Sequence, residues 1–332
     1  MVPLFLGKKQ FVSSGMATPM RASRVGLVLE RGERNMSIEA LREIVAQLSA
    51  STTTLAVLGA ELHSRVSGKP IHPGLRSQAD DLLREAGALQ ALEGASAAEV
   101  APLLAELRHF WDLDHDFLMT PERAPGWSYA DASMLQRAGE ITEGFANVLP
   151  RFVPMLEGLA PRLEGSGATF LDVGTGVGRL AIGMARKWPA LRVVGLDVWG
   201  PSLALARKNV AEAGLQDRIE IREQPAQDLN DERMFDLAWL PAPFMPPHAV
   251  GRVLDQVHRS LKPGGWVLFA TAKPGEDLRG AAIRFCVSLY GGVPGTQQEI
   301  EKLLADKGLT DIRTIPGPPR DFKMIVAARR AP

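Results

Sequence analysis

The sequence feature that most constrains the fold is a glycine-rich turn between a predicted strand and a predicted helix. The strand covers Thr169–Val173, and Gly174, Gly176 and Gly178 follow it as alternate residues. Glycine adopts backbone angles that other residues avoid and allows a ligand to approach the main chain closely. A helix that begins at Gly178 would add free N–H groups at its N-terminus. The pattern therefore predicts a ligand site at the carboxyl end of a buried strand.

Strand-like and helical runs alternate along the chain after this turn. Strands are predicted at 169–173, 192–197, 219–223, 235–240 and 266–271, and helices at 178–187, 200–213 and 248–261. This alternation predicts parallel βαβ units with right-handed crossovers. Near the C-terminus, a helix at 300–307 precedes strands at 312–315 and 322–328, which predict an antiparallel pair that closes the sheet.

The N-terminal part of the chain has a different pattern. Residues 1–35 lack a clear period and are predicted to form a disordered leader. Residues 38–118 show helical spacing interrupted by a turn at 67–73, and 119–131 are rich in turn-forming residues. Helices are also predicted at 132–152 and 153–163. We expect three parts: the leader at 1–35, a helical lid or dimerisation region at 36–130, and a catalytic domain at 131–332.

The composition excludes several classes of protein. The 332 residues carry 38 basic and 38 acidic side chains, so a nucleic-acid surface spread over the whole chain is not expected. Cys286 is the single cysteine, which fits a reducing, cytoplasmic setting. No apolar run approaches the roughly 20 residues of a membrane helix, and no membrane partner is predicted.

Two kinds of glycine loop compete for the turn at 174–178. Dinucleotide sites use the spacing G-x-G-x-x-G, whereas this chain has G-x-G-x-G with Asp172 two residues before the first glycine. A carboxylate at that point would repel a pyrophosphate and suits a cationic ligand with an ammonium group. The spacing and the charge therefore favour a site for a cationic ligand over a dinucleotide site.

Segment 170–180 resembles the first motif of the class I S-adenosylmethionine-dependent methyltransferases. The resemblance implies S-adenosyl-L-methionine as cofactor and S-adenosyl-L-homocysteine as its product. It assigns the ribose hydroxyls to Asp197 at the end of the second strand, and the adenine amino group to Asp228, for which a loop cap is the alternative. Val198 or Trp199 would pack on the adenine. The predicted cofactor-binding residues are Asp172, Gly174, Thr175, Gly176, Gly178, Asp197, Val198, Trp199, Gln227, Asp228 and Leu240.

The same resemblance extends over roughly residues 130–330. Segment 261–268 (LKPGGWVL) is similar to the family's turn before the fifth strand, and the antiparallel final strand also matches. The implied fold class is α/β: a Rossmann-like, doubly wound, seven-stranded sheet with an antiparallel last strand, plus a helical N-terminal domain.

The loop after the fourth strand should decide the methyl acceptor. Pro241–Phe244 (PAPF) is similar to the N-P-P-Y motif of amide and adenine N-methyltransferases, but Pro241 cannot orient an amino group by side-chain hydrogen bonds. Leu240 and Pro241 also lack the carboxylates of metal-dependent O-methyltransferases, and no metal site is predicted. His248 is a candidate base; its alternative is simply the start of the next helix.

Further candidates lie upstream. Trp127 and Tyr129 would close over the acceptor, with Tyr129 bonding either the cofactor carboxylate or the acceptor, or else only packing. Glu140 is a candidate proton acceptor, with a solvated surface residue as its alternative. The stretch 109–116 (HFWDLDHD) is suggestive of a metal, but its carboxylates fall on different helix faces, so solvated or capping roles are favoured.

The resemblance and the apolar loop lead to one functional hypothesis. They imply a methyltransferase acting on an oxygen or carbon of a small, largely apolar metabolite, in secondary metabolism, with the N-terminal helical region as a candidate homodimer surface. The alternatives are a protein or nucleic-acid methyltransferase, or a cofactor-binding protein without methyl transfer.

Overall fold

The computed structural model describes residues 38–273, 275–292, 294–317 and 323–332. The leader predicted at 1–35 and Phe322 of the predicted last strand lie outside these ranges. The chain divides into two compact units, Met1–Thr52 and Thr53–Pro332. In the first unit the described residues form the beginning of helix α1, and the domain boundary at residue 130 stays a prediction.

The N-terminal region is helical, as predicted. Its helices are α1 (Ile38–Ser67), α2 (Pro73–Glu85), α3 (Ala88–Ala91) and α4 (Ala97–Met119). The break between the first two falls at the predicted turn. Helix α4 begins at a capping box, in which the Ser96 side chain accepts from the Glu99 backbone and the Glu99 side chain accepts from the Ser96 backbone.

The helix predicted at 132–152 is shorter than expected. Helix α5 covers Ala132–Val148, and two 3-10 turns follow at Leu149–Arg151 and Val153–Met155. Helix α6 (Leu159–Glu164) then replaces the helix predicted at 153–163. The predictions of two uninterrupted helices were wrong because Pro150 and Pro154 lack the N–H that a helix interior needs.

The catalytic part contains a seven-stranded sheet with the order β3-β2-β1-β4-β5-β7-β6. The first five strands pair in parallel, and β7 is antiparallel to both β5 and β6. This topology confirms the predicted fold class. The strands are β1 (Thr169–Val173), β2 (Arg192–Asp197), β3 (Ile219–Glu223), β4 (Phe235–Pro241), β5 (Leu261–Ala272), β6 (Leu309–Ile315) and β7 (Lys323–Arg330).

Helices cover the sheet between these strands. They are α7 (Arg179–Lys187), α8 (Gly200–Glu212), α9 (Pro247–Ser260), α10 (Leu278–Leu289) and α11 (Gln297–Asp306). The sequence pattern did not predict α10. Its N-terminus is capped by Asp277, whose carboxylate accepts from the backbone N–H of Gly280 at 2.8 Å. None of the helices within the described ranges is both long and apolar enough to cross a membrane.

Alternate residues of the central strands pack into cores on opposite faces of the sheet. Leu237 and Trp239 of β4 belong to one buried cluster, and Ala238 and Leu240 belong to the other. The strand order reverses direction between β1 and β4. In doubly wound sheets, ligands bind outside the carboxyl ends of the strands at this point. The fold therefore places the glycine turn where a ligand is expected.

Candidate active site

The glycine turn leaves β1 through left-handed backbone. Gly174, Gly176 and Gly178 have φ values of 66°, 56° and 77°, a region that favours glycine. A Cβ at Gly178 would lie 3.5 Å from the Cβ of Ala206, so this glycine brings α7 close to α8. A Cβ at Gly176 would meet nothing within 4 Å. The main chain at Gly176 therefore faces open space, as a ligand cradle requires.

Asp172 and Thr175 tie the turn to the sheet. Asp172 is 1% exposed, and its carboxylate accepts a 2.7 Å hydrogen bond from the Thr175 hydroxyl. The pKa of Asp172 is raised to about 7, mainly because the carboxyl is buried; the hydrogen bond from Thr175 opposes this rise, and the charge of Asp197 adds to it. The Thr175 side chain also lies against Gly195 of β2, where a Cβ would come within 2.7 Å of its Oγ1. Gly195 therefore makes room for the turn.

Asp197 ends β2 beside the same turn. One carboxylate oxygen accepts from the N–H of Gly176 at 2.8 Å, and the other accepts from the N–H groups of Val198 at 2.7 Å and Trp199 at 2.9 Å. A carboxylate offers about four acceptor positions. These three bonds orient Asp197 and leave acceptor capacity for a ligand hydroxyl.

The other predicted cofactor-binding residues differ in how far they are exposed. The Val198 side chain is 61% exposed, which is consistent with an adenine contact. Asp228 is exposed in the 3-10 turn Ala226–Asp228, and its carboxylate lies 3.3 Å from the guanidinium of Arg252. Gln227 in the same turn is half-buried. Leu240 is fully buried in the core, so its side chain serves packing.

Aromatic rings gather beside the loop after β4. Trp127 lies 5.1 Å from Tyr129, 5.5 Å from Phe244 and 6.0 Å from Tyr290, measured between ring centroids. Phe244 and Tyr290 lie 4.5 Å apart. His109 lies 6.0 Å from Tyr290 and 6.4 Å from Trp127. We call these five residues the aromatic cover; they are His109, Trp127, Tyr129, Phe244 and Tyr290.

Hydrogen bonds and close packing join the aromatic cover to the carboxyl ends of β1 and β2, which we call the cofactor edge of the sheet. The indole N–H of Trp199 donates to the carbonyl of Tyr129 at 2.6 Å, and the N–H of Gly126 donates to the carbonyl of Leu289 at 2.9 Å. Gly292 has no room for a Cβ because the backbone of Pro243 occupies that space. The stretch before α5, the loop after β4 and the end of α10 therefore pack together.

The three predicted catalytic residues are not brought together. Tyr129 is 6% exposed in the aromatic cover, with the Arg123 guanidinium 4.9 Å from its ring centroid, and burial raises the pKa of its hydroxyl. Glu140 is exposed on α5. His248 is exposed at the second residue of α9. Their catalytic roles stay predictions.

One residue of the stretch 109–116, His109, is buried, although the stretch was predicted to be solvated. His109 is 4% exposed, and its Nε2 lies 2.7 Å from the Tyr290 hydroxyl. Asp112 and Asp116 instead pair with Arg137 at 2.5 Å and Arg123 at 2.9 Å. Within the described ranges, no group of three or more metal-ligating side chains comes together. The absence of a metal site stays a prediction, and the prediction that His109 is solvated was wrong.

Comparison with known proteins identifies the family. Residues 170–265 match a family model described as a methyltransferase domain. The ubiquinone biosynthesis O-methyltransferase of Paracidovorax citrulli (strain AAC00-1) is 30% identical over 220 residues, which are 63% of this chain and 78% of that protein. The chain belongs to the class I S-adenosylmethionine-dependent methyltransferases.

Solved structures agree with this assignment at the level of the fold. The apo form of the S-adenosylmethionine-dependent methyltransferase SibL superposes with a TM-score of 0.59 at 20% identity, over 89% of this chain and all of SibL. Human N-acetylserotonin methyltransferase in complex with S-adenosylmethionine gives a TM-score of 0.55 at 13% identity, over 90% and 99% of the two chains. Its membership of this family, rather than the likeness of fold, makes the protein an enzyme that uses S-adenosylmethionine.

Residue patterns missed several parts of this site. Gly195 looks like an ordinary strand residue until Thr175 is placed against it, and Tyr290 follows a helix that was not predicted. Phe244 was noted only as the last residue of the PAPF segment. The one available signal for His109 was its position at helical spacing among apolar residues, i to i+4, between Ala105 and Leu113.

Proposed function

We propose that this methyltransferase transfers the methyl group of S-adenosylmethionine to an oxygen of a small, largely apolar, planar acceptor. The observation that carries the proposal is the aromatic cover, which packs on the loop after β4 beside the glycine turn. Apolar and aromatic walls with a few polar groups are typical of small-molecule sites. Flat rings at centroid distances of 4.5–6.4 Å suit a flat acceptor.

The cofactor fits the cradle formed by the first two strands. In the proposed arrangement, Asp197 accepts ribose hydroxyls, Val198 packs on the adenine, and the main chain of Gly174 and Gly176 lies along the methionine part. Asp172 supplies a negative charge for the cofactor's cationic groups. When bound, the cofactor supplies an electrophilic methyl group on a positively charged sulfur.

Asp228 and Gln227 have weaker support as cofactor residues. The ion pair between Asp228 and Arg252 is exposed on both sides, so it contributes little to stability and does not bar a ligand. We keep the adenine contact of Asp228 as a proposal. Leu240 would contribute through its backbone, because its side chain lies in the core.

The chain's own residues orient the acceptor and exclude water on the other side. A Cβ at Gly174 would lie 3.6 Å from Pro241, so the loop after β4 borders the glycine turn directly. The rings of Trp127 and Phe244 extend from this border. Enzymes of this kind accelerate transfer by alignment and by keeping water away from the reacting atoms. Oxygen is favoured as the nucleophile because the relative from Paracidovorax citrulli is named as an O-methyltransferase.

The proposal is tested by measuring S-adenosylhomocysteine formation with a panel of planar phenols and enols, and with protein and RNA as competing acceptor classes. We expect turnover with members of the first group. Turnover only with protein or RNA would contradict the proposal.

Trp127→Ala provides the matched structural test. Each lost ring contact is worth about 0.5–1.5 kcal/mol, so we expect the KM for the acceptor to rise roughly tenfold or more. The control is Trp111→Ala, because Trp111 is 38% exposed on α4 and lies outside the aromatic cover. Equal KM values for the two variants would show that the cover does not hold the acceptor.

Location and assembly stay predictions. We infer a cytoplasmic enzyme from the single cysteine, and a homodimer through the N-terminal helical region. Supporting the second point, α1 exposes apolar side chains at helical spacing: Leu41 is 46% exposed, Val45 55% and Leu48 52%. Sedimentation of a variant with these three residues changed to serine would test it, with a monomer as the expected result.

A further inference from the structure

A pair of amide side chains lies against the glycine turn. Gln136 comes from α5 and Asn209 from α8, and Asn209 is 8% exposed. The Nε2 of Gln136 donates to the Oδ1 of Asn209 at 3.0 Å, and the Nδ2 of Asn209 donates to the Oε1 of Gln136 at 3.1 Å. We call these two residues the amide pair. A buried amide costs stability unless its polar atoms are bonded, so the remaining partners of the pair matter.

The amide pair also bonds to the last part of the glycine turn. The Nδ2 of Asn209 donates to the carbonyl of Val177 at 2.8 Å. The Nη2 and Nε of Arg179 donate to the Oε1 of Gln136 at 3.1 Å and 3.3 Å. Val177 and Arg179 lie on either side of Gly178, where the turn becomes α7. The amide pair therefore joins α5 and α8 to the end of the turn.

The chemistry of these two partners fixes the direction of every bond in the pair. The Val177 carbonyl can only accept a hydrogen bond, and the Arg179 guanidinium can only donate one. Reversing the Asn209 amide would place two oxygens against each other, and reversing the Gln136 amide would place two donors against each other. Asn209 must therefore present its nitrogen to the turn, and Gln136 must present its oxygen to Arg179.

The bond from Asn209 fixes one peptide group of the turn. The carbonyl of this group belongs to Val177, and its N–H belongs to Gly178 and donates to the carbonyl of Thr175 at 2.9 Å. Gly178 itself has a φ of 77°, in the region that favours glycine. Because both polar groups of this peptide are bonded, the turn is held in one shape at its last left-handed residue.

Close packing brings α5 against the same part of the turn. Gly139 lies three residues after Gln136 on α5 and is buried. A Cβ at Gly139 would come within 2.4 Å of the Val177 Cγ2 and 2.8 Å of the Arg179 Cγ. The helix can approach the turn this closely because Gly139 has no side chain. Gln136 is thereby placed within hydrogen-bond distance of its partners.

We propose that Asn209 and Gln136 are positioning residues for S-adenosylmethionine. They hold the Val177 carbonyl, and with it the glycine turn, in the shape that accepts the methionine part of the cofactor. The inference rests on the proposed function, in which the main chain of Gly174 and Gly176 lies along that part. Asn209 and Gln136 act through the main chain of the turn and need no contact with the cofactor.

The fixed bond directions predict different results for the same chemical change at the two positions. Asn209→Asp removes the donor to the Val177 carbonyl and puts a carboxylate against it, so S-adenosylhomocysteine should bind about tenfold more weakly, or worse. Gln136→Glu keeps an acceptor for Arg179 and for Asn209 and loses one donated bond, so affinity should stay within about threefold. Asn147→Asp, at an exposed amide of α5, is the matched control and should leave affinity unchanged.

A second ligand separates positioning of the turn from a general loss of structure. 5′-Methylthioadenosine contains the adenosine and the sulfur of the cofactor but lacks its amino-acid part. In Asn209→Asp it should bind within about twofold of wild type, although S-adenosylhomocysteine binds more weakly. Asp197→Ala should weaken both ligands, because its proposed partners are the ribose hydroxyls. Calorimetric titration measures the dissociation constants, and the melting temperature shows that each variant is folded.

Gln136→Leu gives the same test if Asn209→Asp does not fold. Leucine keeps most of the side-chain volume but cannot bond to Arg179 or Asn209. S-adenosylhomocysteine should bind about fivefold more weakly, with 5′-methylthioadenosine unaffected.

Three outcomes would overturn the inference. They are equal losses in Asn209→Asp and Gln136→Glu, equal losses for the two ligands in Asn209→Asp, and an affinity of Asn209→Asp for S-adenosylhomocysteine equal to wild type. The proposed function fails in other ways. Weaker binding of S-adenosylhomocysteine alone in Asp197→Ala would contradict the proposed cofactor arrangement, and no S-adenosylhomocysteine formation with planar phenols and enols would contradict the proposed acceptor.

Discussion

The cofactor edge of the sheet and the aromatic cover border each other but are built differently. At the cofactor edge, main-chain groups make most of the contacts: three backbone N–H groups orient Asp197, and left-handed glycines form the turn. In the aromatic cover, side chains make the contacts, and they come from four separate stretches of the chain. One region depends on backbone geometry, whereas the other depends on which rings the tertiary fold brings together.

The two regions also differ in how their buried ionisable side chains respond to pH. Asp172 is buried with a pKa of about 7, so it changes charge near neutral pH. Burial lowers the pKa of His109 to about 4, so this residue stays neutral there. Cofactor binding should therefore respond to pH through Asp172, whereas His109 in the aromatic cover should keep the same charge over that range. A substitution in one of the two regions should therefore leave the other region unchanged.

The largest expected effect comes from Asp197→Ala. The change removes the acceptor for three backbone N–H groups and the proposed acceptor for the ribose hydroxyls. Each charged hydrogen bond lost should cost about 1.5–3 kcal/mol, so a single one weakens cofactor binding roughly 10- to 150-fold. Calorimetric titration with S-adenosylmethionine measures the change. Asp217→Ala, at an exposed carboxylate, is the control; an affinity of Asp197→Ala equal to that control would reject the role of Asp197.

A smaller effect on cofactor binding is expected from Gly195→Ala. The new Cβ would lie 2.7 Å from Thr175 Oγ1, and relief of this clash must displace the glycine turn. Overpacking typically costs about 1–3 kcal/mol, so we expect roughly tenfold weaker cofactor binding and a lower Tm.

Gly144→Ala provides the matched control for this change. Gly144 lies within α5, and a Cβ there would meet nothing within 4 Å. Alanine in a helix interior should therefore raise stability by about 0.5–1 kcal/mol and leave cofactor affinity alone. If both alanine variants behaved alike, the contact between Gly195 and Thr175 would have no part in shaping the turn.

The smallest expected effect is a pH dependence from Asp172. Its pKa rises from 3.8 to about 7 on folding, so the folded protein holds a proton that the unfolded chain releases. The resulting stabilisation is complete below about pH 3.8 and is lost as pH rises through about 7. Cofactor affinity should move the opposite way and rise with pH, by no more than about tenfold in total between pH 6 and 8, because the ionised fraction of a group with a pKa of about 7 grows about tenfold over that window.

Titrations of S-adenosylmethionine between pH 6 and 8, in wild type and Asp172→Asn, measure this dependence. We expect the slope to vanish in the variant. A slope that persists would show that another group binds the proton.

The strands and the cofactor edge were predictable because their signals are local. Strand-like runs of five or six residues predicted β1, β2 and β3 at their observed bounds, and the glycine spacing with Asp172 and Asp197 located the turn. Errors occurred where local signals are weak. The break of α5 before Pro150 and the presence of α10 were both missed, the latter because its apolar residues, which make up most of the helix, show no strong helical period.

The succession of the seven strands along the chain, the family and its cofactor could be predicted from the sequence, because each of these is encoded in short, contiguous motifs. Only the tertiary structure decided that His109 and Tyr290 form a pair, that Gly195 accommodates Thr175, and that Trp127 meets Phe244. These contacts join residues that are distant in the chain. No local pattern specifies them, because packing and burial arise only when the whole sheet and its covering helices are assembled.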